Sequence, residues 1–490
     1  MRRCGVLMPV FSLASEYGIG CFSKEAYRFI EFCERTGIHV WQMLPIGPTS
    51  YGDSPYQSFS SFAMNPYFLD LEDLVSRDLL TVSECEEGLA GTDMQIQYEK
   101  QYRLRFQVLK KAFFRFMEHP YETYEAFKQT HAHWLMDYAL YMAIKDARGG
   151  VSWREWEEPL AMREPKAIEE AKRTYKEAIE FHCFLQFFCY MEWETLHRYA
   201  KKYGVSLLGD IPIYVAYDSA DVWSHKELFL LDEDGYPTVV AGCPPDAFSE
   251  TGQLWGNPLY DWDKMKKDDY AWWMERIRHN FTLFDELRID HFRGFSSYFA
   301  IPYGKENALE GQWCVGPGID FFEKVKNKLG SLQIVAEDLG IITDDVRALL
   351  KACGYPGMKV LQFAFPVGKK SEYQPHRYEK NCVVYTGTHD NDTVRGWYQT
   401  LSEEAKQYVC DYLGRTVSEE TVTWEMIRLA MASVADTCMI PIQDYCNLGT
   451  DARINIPSTV GGNWLWRIGK EQLTWELERQ IKSMILLYER

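Results

Sequence analysis

Short apolar runs closed by polar residues or glycine recur at 5–10, 39–44, 205–209, 284–289, 332–336, 357–363, 382–386 and 438–442. Runs of this length predict buried strands. Several lead into the three-and-four spacing of a helix: Ser23 opens a segment that reaches Arg35, and Thr343 opens another that ends at Ala352, both good residues to start a helix. Strands that alternate with helices pair in parallel, and eight such units can close on themselves. An open doubly wound sheet is the alternative, but no GxGxxG turn follows the first run, so the phosphate-cradling signature of that fold is missing. The expected fold is therefore α/β, a parallel (β/α)8 TIM barrel.

The second and third runs stand about 160 residues apart, too far for a simple connection, so the interval needs structure of its own. Leu109, Phe113 and Phe116, and then Trp134, Tyr138 and Tyr141, recur at helical spacing, which predicts packing faces in a mainly helical insertion over 70–195. A second interruption, 215–270, is rich in Gly, Pro, Asp and Trp and predicts ordered loops over one end of the barrel. The segment 470–490 has the pattern of an amphipathic terminal helix. The 490 residues are thus expected to form one barrel with large insertions.

Composition narrows the function. No run of eighteen apolar residues occurs, so no membrane span is expected. The formal charge of -18 repels nucleic acid and anionic membrane surfaces alike. Aromatic residues make up 15%, a content that suits stacking on sugar rings as well as core packing. Thirteen cysteines without a CxxC pair signal neither a zinc site nor a disulfide framework, and point to a reducing cytoplasm. The opening MRRCGVLMPVFSL is broken by Pro9 and is expected to be a first strand, not a secretion signal.

Chemistry in parallel barrels sits where strands end, and four of the runs end on acids. SLLGD stops at Asp210, FDELRID at Asp290, QIVAED at Glu337 and VVYTGTHD at Asp390. A single such acid can equally cap a helix or pair with an arginine; four together suggest a site. Retaining cleavage of a glycosidic bond needs one ionised carboxylate to attack and one protonated carboxyl to release the leaving oxygen. Arg288 lies two residues before Asp290, so strand alternation aims both side chains inward and sets a cation beside the carboxylate. Asp290 is the expected nucleophile. Glu337, behind the apolar Ile334, Val335 and Ala336, is the expected proton donor, since desolvation beside another acid raises a carboxyl pKa. Asp390 and His389 are placed to hold ring hydroxyls, and His291 and His389 take a site role or are simply packed. The HDND run at 389–392 lacks the spacing of a hard-cation loop, so neither metal nor cofactor is expected.

At these residues the chain resembles the 4-α-glucanotransferases of the amylomaltase or disproportionating-enzyme family, glycoside hydrolase family 77. The likeness covers LMPVFSLASEYGIG at 7–20, LPIGPTSYGDSPYQSFSSFAMNP at 44–66, GDIPIYVAYDSADVW at 209–223, PPDAFSETGQLWGNPLYDW at 244–262, RIDHFRGF at 288–295, AEDLG at 336–340 and YTGTHDNDT at 385–393. It implies an α-amylase type of barrel with Asp290, Glu337 and Asp390 as nucleophile, acid/base and stabilising acid. It further implies sugar contacts from Asp210, Arg288, His291 and His389, aromatic surfaces from Tyr56 and Trp255, a cleft-covering loop with Asp246, Phe248 and Ser249, and Asn463 in a late loop near the donor side. Two positions depart from the family pattern: Ala247, where members often carry tyrosine, and Tyr217, where some carry histidine. The implied partners are maltooligosaccharides and starch- or glycogen-derived 1,4-α-glucans. The rival readings are an α-glucan hydrolase, in which water resolves the intermediate, and a non-catalytic glucan binder on the same fold.

Overall fold

The computed structural model describes residues 2–50, 52–89, 94–245 and 250–490. Among these residues the strands form two sheets. The larger holds eight parallel strands: β1 (Arg3–Leu7), β2 (Val40–Gln42), β3 (Ser206–Pro212), β4 (Glu286–Asp290), β5 (Ile334–Ala336), β6 (Gly357–Val360), β7 (Cys382–Tyr385) and β8 (Thr437–Pro441). Each neighbours the next in chain order, and β8 returns to β1 with Arg3 opposite Thr437. The last seam, between β5 and β6, closes through Ala336 N–H to Pro356 O at 3.0 Å and Met358 N–H to Asp338 Oδ1 at 2.6 Å. Every apolar run of the sequence becomes one of these strands, and the barrel expectation holds.

Strand alternation turns Leu7, Val40, Leu208, Val335, Met358, Val360, Val383, Tyr385 and Met439 into one enclosed cluster, the filling of the barrel. Gly5 is required there: a Cβ at its position stands 2.5 Å from Met439 Cε, so only glycine leaves room for that methionine. At the N-terminal end Arg3 Nη2 donates to Glu286 Oε2 at 2.6 Å and Arg3 Nε to Thr437 Oγ1 at 3.1 Å. Higher up, Tyr385 donates its hydroxyl to Gln42 Oε1 at 2.9 Å. The interior is thus apolar in the middle and polar at its ends, and the polar groups at the C-terminal end remain for chemistry.

The outer helices follow their sequence signals. Ser23 accepts the Glu25 N–H at the start of Lys24–Thr36, Gly37 ends that helix at φ 85, and Phe29, Ile30 and Phe32 are buried against the barrel. Thr343 stands extended before the helix Asp344–Cys353, but its side chain makes no capping bond. In the long interval, Leu109, Phe113 and Phe116 form the buried face of Phe106–Glu118, and Trp134, Tyr138 and Tyr141 that of Ala132–Ala147. Both pack on the helix Lys176–Lys202, where Phe116 meets the rings of Phe184, Phe187 and Phe188. That helix begins among the inserted helices and ends by handing the chain to β3. The terminal helix Trp475–Tyr488 buries Leu477, Ile481, Met484 and Ile485. Among the described residues no helix is long and apolar enough to cross a membrane.

The smaller sheet is antiparallel, in the order Gln253–Pro258, Val239–Cys243, Ser297–Pro302, Gln312–Val315. Where the sequence predicts only loops over 215–270, the structure thus adds two strands of a sheet completed after β4. Three of its strands contain Gly or Pro, and Gln253–Pro258 alternates half-exposed with exposed positions before its buried end. Such strands carry no continuous apolar run, which is the signal that marks a strand buried on both faces. The first two flank the segment 244–252. Asp246, Ala247, Phe248 and Ser249 lie outside the described residues.

Candidate active site

The site begins one level below the rim of the barrel. The run ending at Asp210 continues to Pro212 as β3, so Asp210 lies inside the strand, opposite Arg288 of β4 in the register. Both side chains are buried. Arg288 Nη1 donates to Asp210 Oδ1 at 2.8 Å and Oδ2 at 2.7 Å, and Arg288 Nη2 to Asp290 Oδ1 at 2.7 Å. Tyr56 adds its hydroxyl to Asp210 Oδ2 at 2.8 Å. Burial works against the Arg288 charge, but the carboxylates of Asp210 and Asp290 outweigh it and hold its pKa well above the ordinary value.

Asp290 ends β4 with its side chain 29% exposed. With Oδ1 on the guanidinium, Oδ2 has no partner among the described residues. Glu337, the residue after β5, accepts the His291 N–H on Oε2 at 2.8 Å and the Leu339 N–H on Oε1 at 2.7 Å. Burial, and next the Asp290 charge, push its pKa up to about 8 against the pull of Arg288 and the Leu339 N–H. Glu337 therefore keeps its proton at neutral pH beside the Asp290 carboxyl, as a general acid must.

His291 makes this possible through its backbone. It takes the left-handed conformation, φ 53 and ψ 49, uncommon for a residue with a side chain, directly after Asp290 in the turn that bonds to Glu337. Burial lowers its imidazole pKa to about 4, so the ring is neutral at pH 7, and the Trp255 ring meets it edge-on at 4.8 Å.

The fourth acid comes from the turn after β7. Asn391 Oδ1 accepts the Thr388 N–H at 2.9 Å and hydroxyl at 3.0 Å, and Asp392 Oδ2 accepts the Thr450 hydroxyl at 2.8 Å. These two residues of the HDND run are thus spent on the turn, and Asp390 is presented with its side chain 46% exposed. Asn455 Nδ2 donates to Asp390 Oδ1 at 2.6 Å, Arg453 Nη2 to the Asp390 carbonyl at 2.9 Å, and His389 Nε2 lies 3.4 Å from Oδ1. His389 stacks on Tyr56 with centroids 5.1 Å apart and an 18° interplanar angle. The Trp464 ring stands 6.0 Å from both. Tyr56 therefore joins the two halves of the site, its hydroxyl on Asp210 and its face on His389.

Asn463 has its amide engaged within its own loop: Oδ1 accepts the Ile456 N–H at 2.9 Å and Nδ2 donates to Thr459 Oγ1 at 3.0 Å. It pins the loop that carries Asn455 and Trp464. Sequence reasoning missed Asn455, Arg453, Trp464 and the Leu339 N–H. None of them ends an apolar run; the closure of the barrel brings Asn455, Arg453 and Trp464 to the site, while the Leu339 N–H bonds back to Glu337 two residues earlier. Asp246, Phe248 and Ser249 lie outside the described residues, so the cleft is described without them.

A family model described as 4-alpha-glucanotransferase matches residues 8–472. The chain is 46% identical over 486 residues to the 4-alpha-glucanotransferase of Clostridium butyricum, covering 99% of this chain and 100% of that one. It is 44% identical to the 4-alpha-glucanotransferase of Thermus thermophilus, covering 100% of this chain and 99% of that one. Among solved structures, the amylomaltase from Streptococcus agalactiae in complex with acarbose superposes with a TM-score of 0.97 at 39% identity, with 100% of both chains covered.

Proposed function

Because the chain belongs to the 4-α-glucanotransferase family, we propose that Asp290, Glu337 and Asp390 carry out a retaining double displacement on 1,4-α-glucans, with Asp290 as nucleophile and Glu337 as acid/base. The activity itself is the transfer of a segment of a 1,4-α-D-glucan to the 4-hydroxyl of an acceptor, glucose or another glucan chain. The carrying observation is the pairing of Glu337, its pKa at about 8, with Asp290, held on Oδ1 by Arg288 and without a partner on Oδ2 among the described residues.

In the first half, Asp290 Oδ2 attacks the anomeric carbon while Glu337 gives its proton to the glycosidic oxygen, and the shortened chain leaves with a free 4-hydroxyl. In the second, the Glu337 carboxylate removes the proton of an incoming 4-hydroxyl, whose oxygen displaces Asp290 and regenerates the carboxylate. Asp390, fixed by Asn455, accepts hydrogen bonds from ring hydroxyls that strengthen as positive charge develops. His389 and His291 border the same central sugar, and Tyr56 and Trp255 line the groove. Asp210 acts through Arg288 and Tyr56, both of which it holds in place. The family resemblance assigns Asp246, Phe248 and Ser249 to a cleft-covering loop, and exclusion of water by such a loop favours a sugar acceptor. The acarbose-bound amylomaltase from Streptococcus agalactiae supports a maltooligosaccharide as the bound class.

Incubation with maltotriose tests this: glucose plus a ladder of longer dextrins is expected. Asp290→Asn and Glu337→Gln each abolish the ladder while the far-UV spectrum stays native. Accumulation of smaller sugars alone, or near-normal turnover in either variant, contradicts the assignment.

A further inference from the structure

Two tyrosines stand side by side outside the cleft. Tyr236 follows Gly235 in a turn where Asp232 Oδ1 accepts the N–H groups of Asp234 at 3.0 Å and Tyr236 at 2.8 Å. Tyr303 follows Pro302 at the end of the neighbouring strand, whose register sets Val239 opposite Pro302, and its N–H donates to Thr238 O at 3.2 Å. Their ring centroids are 6.2 Å apart and the planes meet at 31°. Tyr236 is 39% and Tyr303 48% exposed. Arg154 lies over the Tyr236 ring at 5.0 Å from its centroid and is paired with Glu158 at 2.9 Å. One face of Tyr236 is therefore backed by a fixed cation from the inserted helices, which holds the ring in place. Neither tyrosyl hydroxyl has a hydrogen-bond partner among the described residues.

We propose that Tyr236 and Tyr303 form a second holding surface for α-1,4-glucan chains, separate from the catalytic cleft. A pyranose ring presents an apolar C–H face that packs on an aromatic ring, while the tyrosyl hydroxyl remains for a sugar hydroxyl. Two rings set a sugar residue apart and tilted against each other follow a chain that curves, as α-1,4-linkage makes it do. An uncharged polymer is also the class of macromolecule that the -18 charge does not repel. The surface acts on long chains only. The strand Val239–Cys243 separates this pair from the segment 244–252 by roughly 17 Å at strand rise, and a trisaccharide turned over at the carboxylates is expected not to depend on it.

The inference rests on the glucan substrate class, and its test is separable from that reading because every variant is also assayed on maltotriose. The Tyr236→Ala/Tyr303→Ala double variant is compared with the native chain by migration in gels containing amylose, and by KM for amylose and for maltotriose. Retention by amylose weakens about tenfold and KM for amylose rises by a similar factor, at unchanged kcat. Maltotriose disproportionation stays within about twofold, and Tyr236→Phe/Tyr303→Phe keeps most of the retention because its rings still stack. Should the double variant not fold, Tyr303→Ala alone serves, with about threefold weaker retention expected from the loss of one ring. Unchanged retention with unchanged KM for amylose overturns the proposal. So does an equal rise in KM for maltotriose, which places the pair in the cleft, or a sugar-independent change in sedimentation, which makes the rings a contact between protein chains.

Discussion

Arg288 and Asp210 form a two-point ion pair at 2.8 and 2.7 Å inside the barrel, and the free end of the same guanidinium fixes Asp290. A buried cation that bridges two carboxylates is stable only while both partners remain, because a charge left alone in the interior has no water to solvate it. Asp210→Ala is therefore expected to lower unfolding stability by about 3–5 kcal/mol, read from urea denaturation. Arg288→Lys keeps the charge but not the fork that reaches both acids. Its kcat on maltotriose falls by about 10²–10³-fold, and a value within threefold of native contradicts the bridging role.

The pH–rate profile follows from Glu337. The proton donor must carry its proton, and its pKa stands at about 8. On its basic side the kcat/KM for maltotriose accordingly holds through neutral pH and then falls, approaching tenfold per unit above about 8. A basic limb near pH 5, where an ordinary glutamate titrates, contradicts the desolvated environment.

The same shift has a stability consequence of opposite sign to its catalytic use. A carboxyl with a raised folded pKa binds its proton more tightly when folded. It contributes stability below its unfolded pKa, near 4.5, and that contribution is lost as pH rises through about 8. Glu337→Gln has no such loss. Relative to the native chain the variant gains roughly 4 kcal/mol between pH 4.5 and pH 8, measurable as a difference in melting temperature that widens over that window and not below it. A difference independent of pH contradicts the shift.

Asn455 is predicted to act through Asp390, whose Oδ1 it holds at 2.6 Å. Asn455→Ala leaves that carboxylate without its amide donor. A drop of about 10–100-fold in kcat, with melting temperature nearly unchanged, is expected, whereas a loss of stability with kcat intact makes the contact merely structural. Asn455→Asp, which keeps the shape but removes the donor, separates the two.

What was legible in the sequence follows from burial. The barrel strands are covered on both faces, so each appears as an unbroken apolar run, and all eight were located from that signal alone. Arg288 and Asp290 were placed on one face by their spacing of two, and their 2.7 Å contact is what alternation demands. The antiparallel sheet was not legible, because strands such as Gln253–Pro258 mix half-exposed and exposed positions with Gly and Pro. Asn455 and Trp464 were invisible for another reason: they belong to a loop that reaches the carboxylates only after β8 has closed on β1. Asp210 was found, but its depth was not, since nothing in Ile211 and Pro212 told the strand from the turn.

The most direct measurement of the central claim is the mass of the nucleophile peptide. Glu337→Gln is incubated with α-maltosyl fluoride and no acceptor. The fluoride departs without help from a proton donor, while resolution of the intermediate lacks its base. A single maltosyl adduct on the peptide containing Asp290, absent when Asp290→Asn is added, is the predicted result. An adduct on another carboxylate, or release of the inverted sugar with no adduct, contradicts the account.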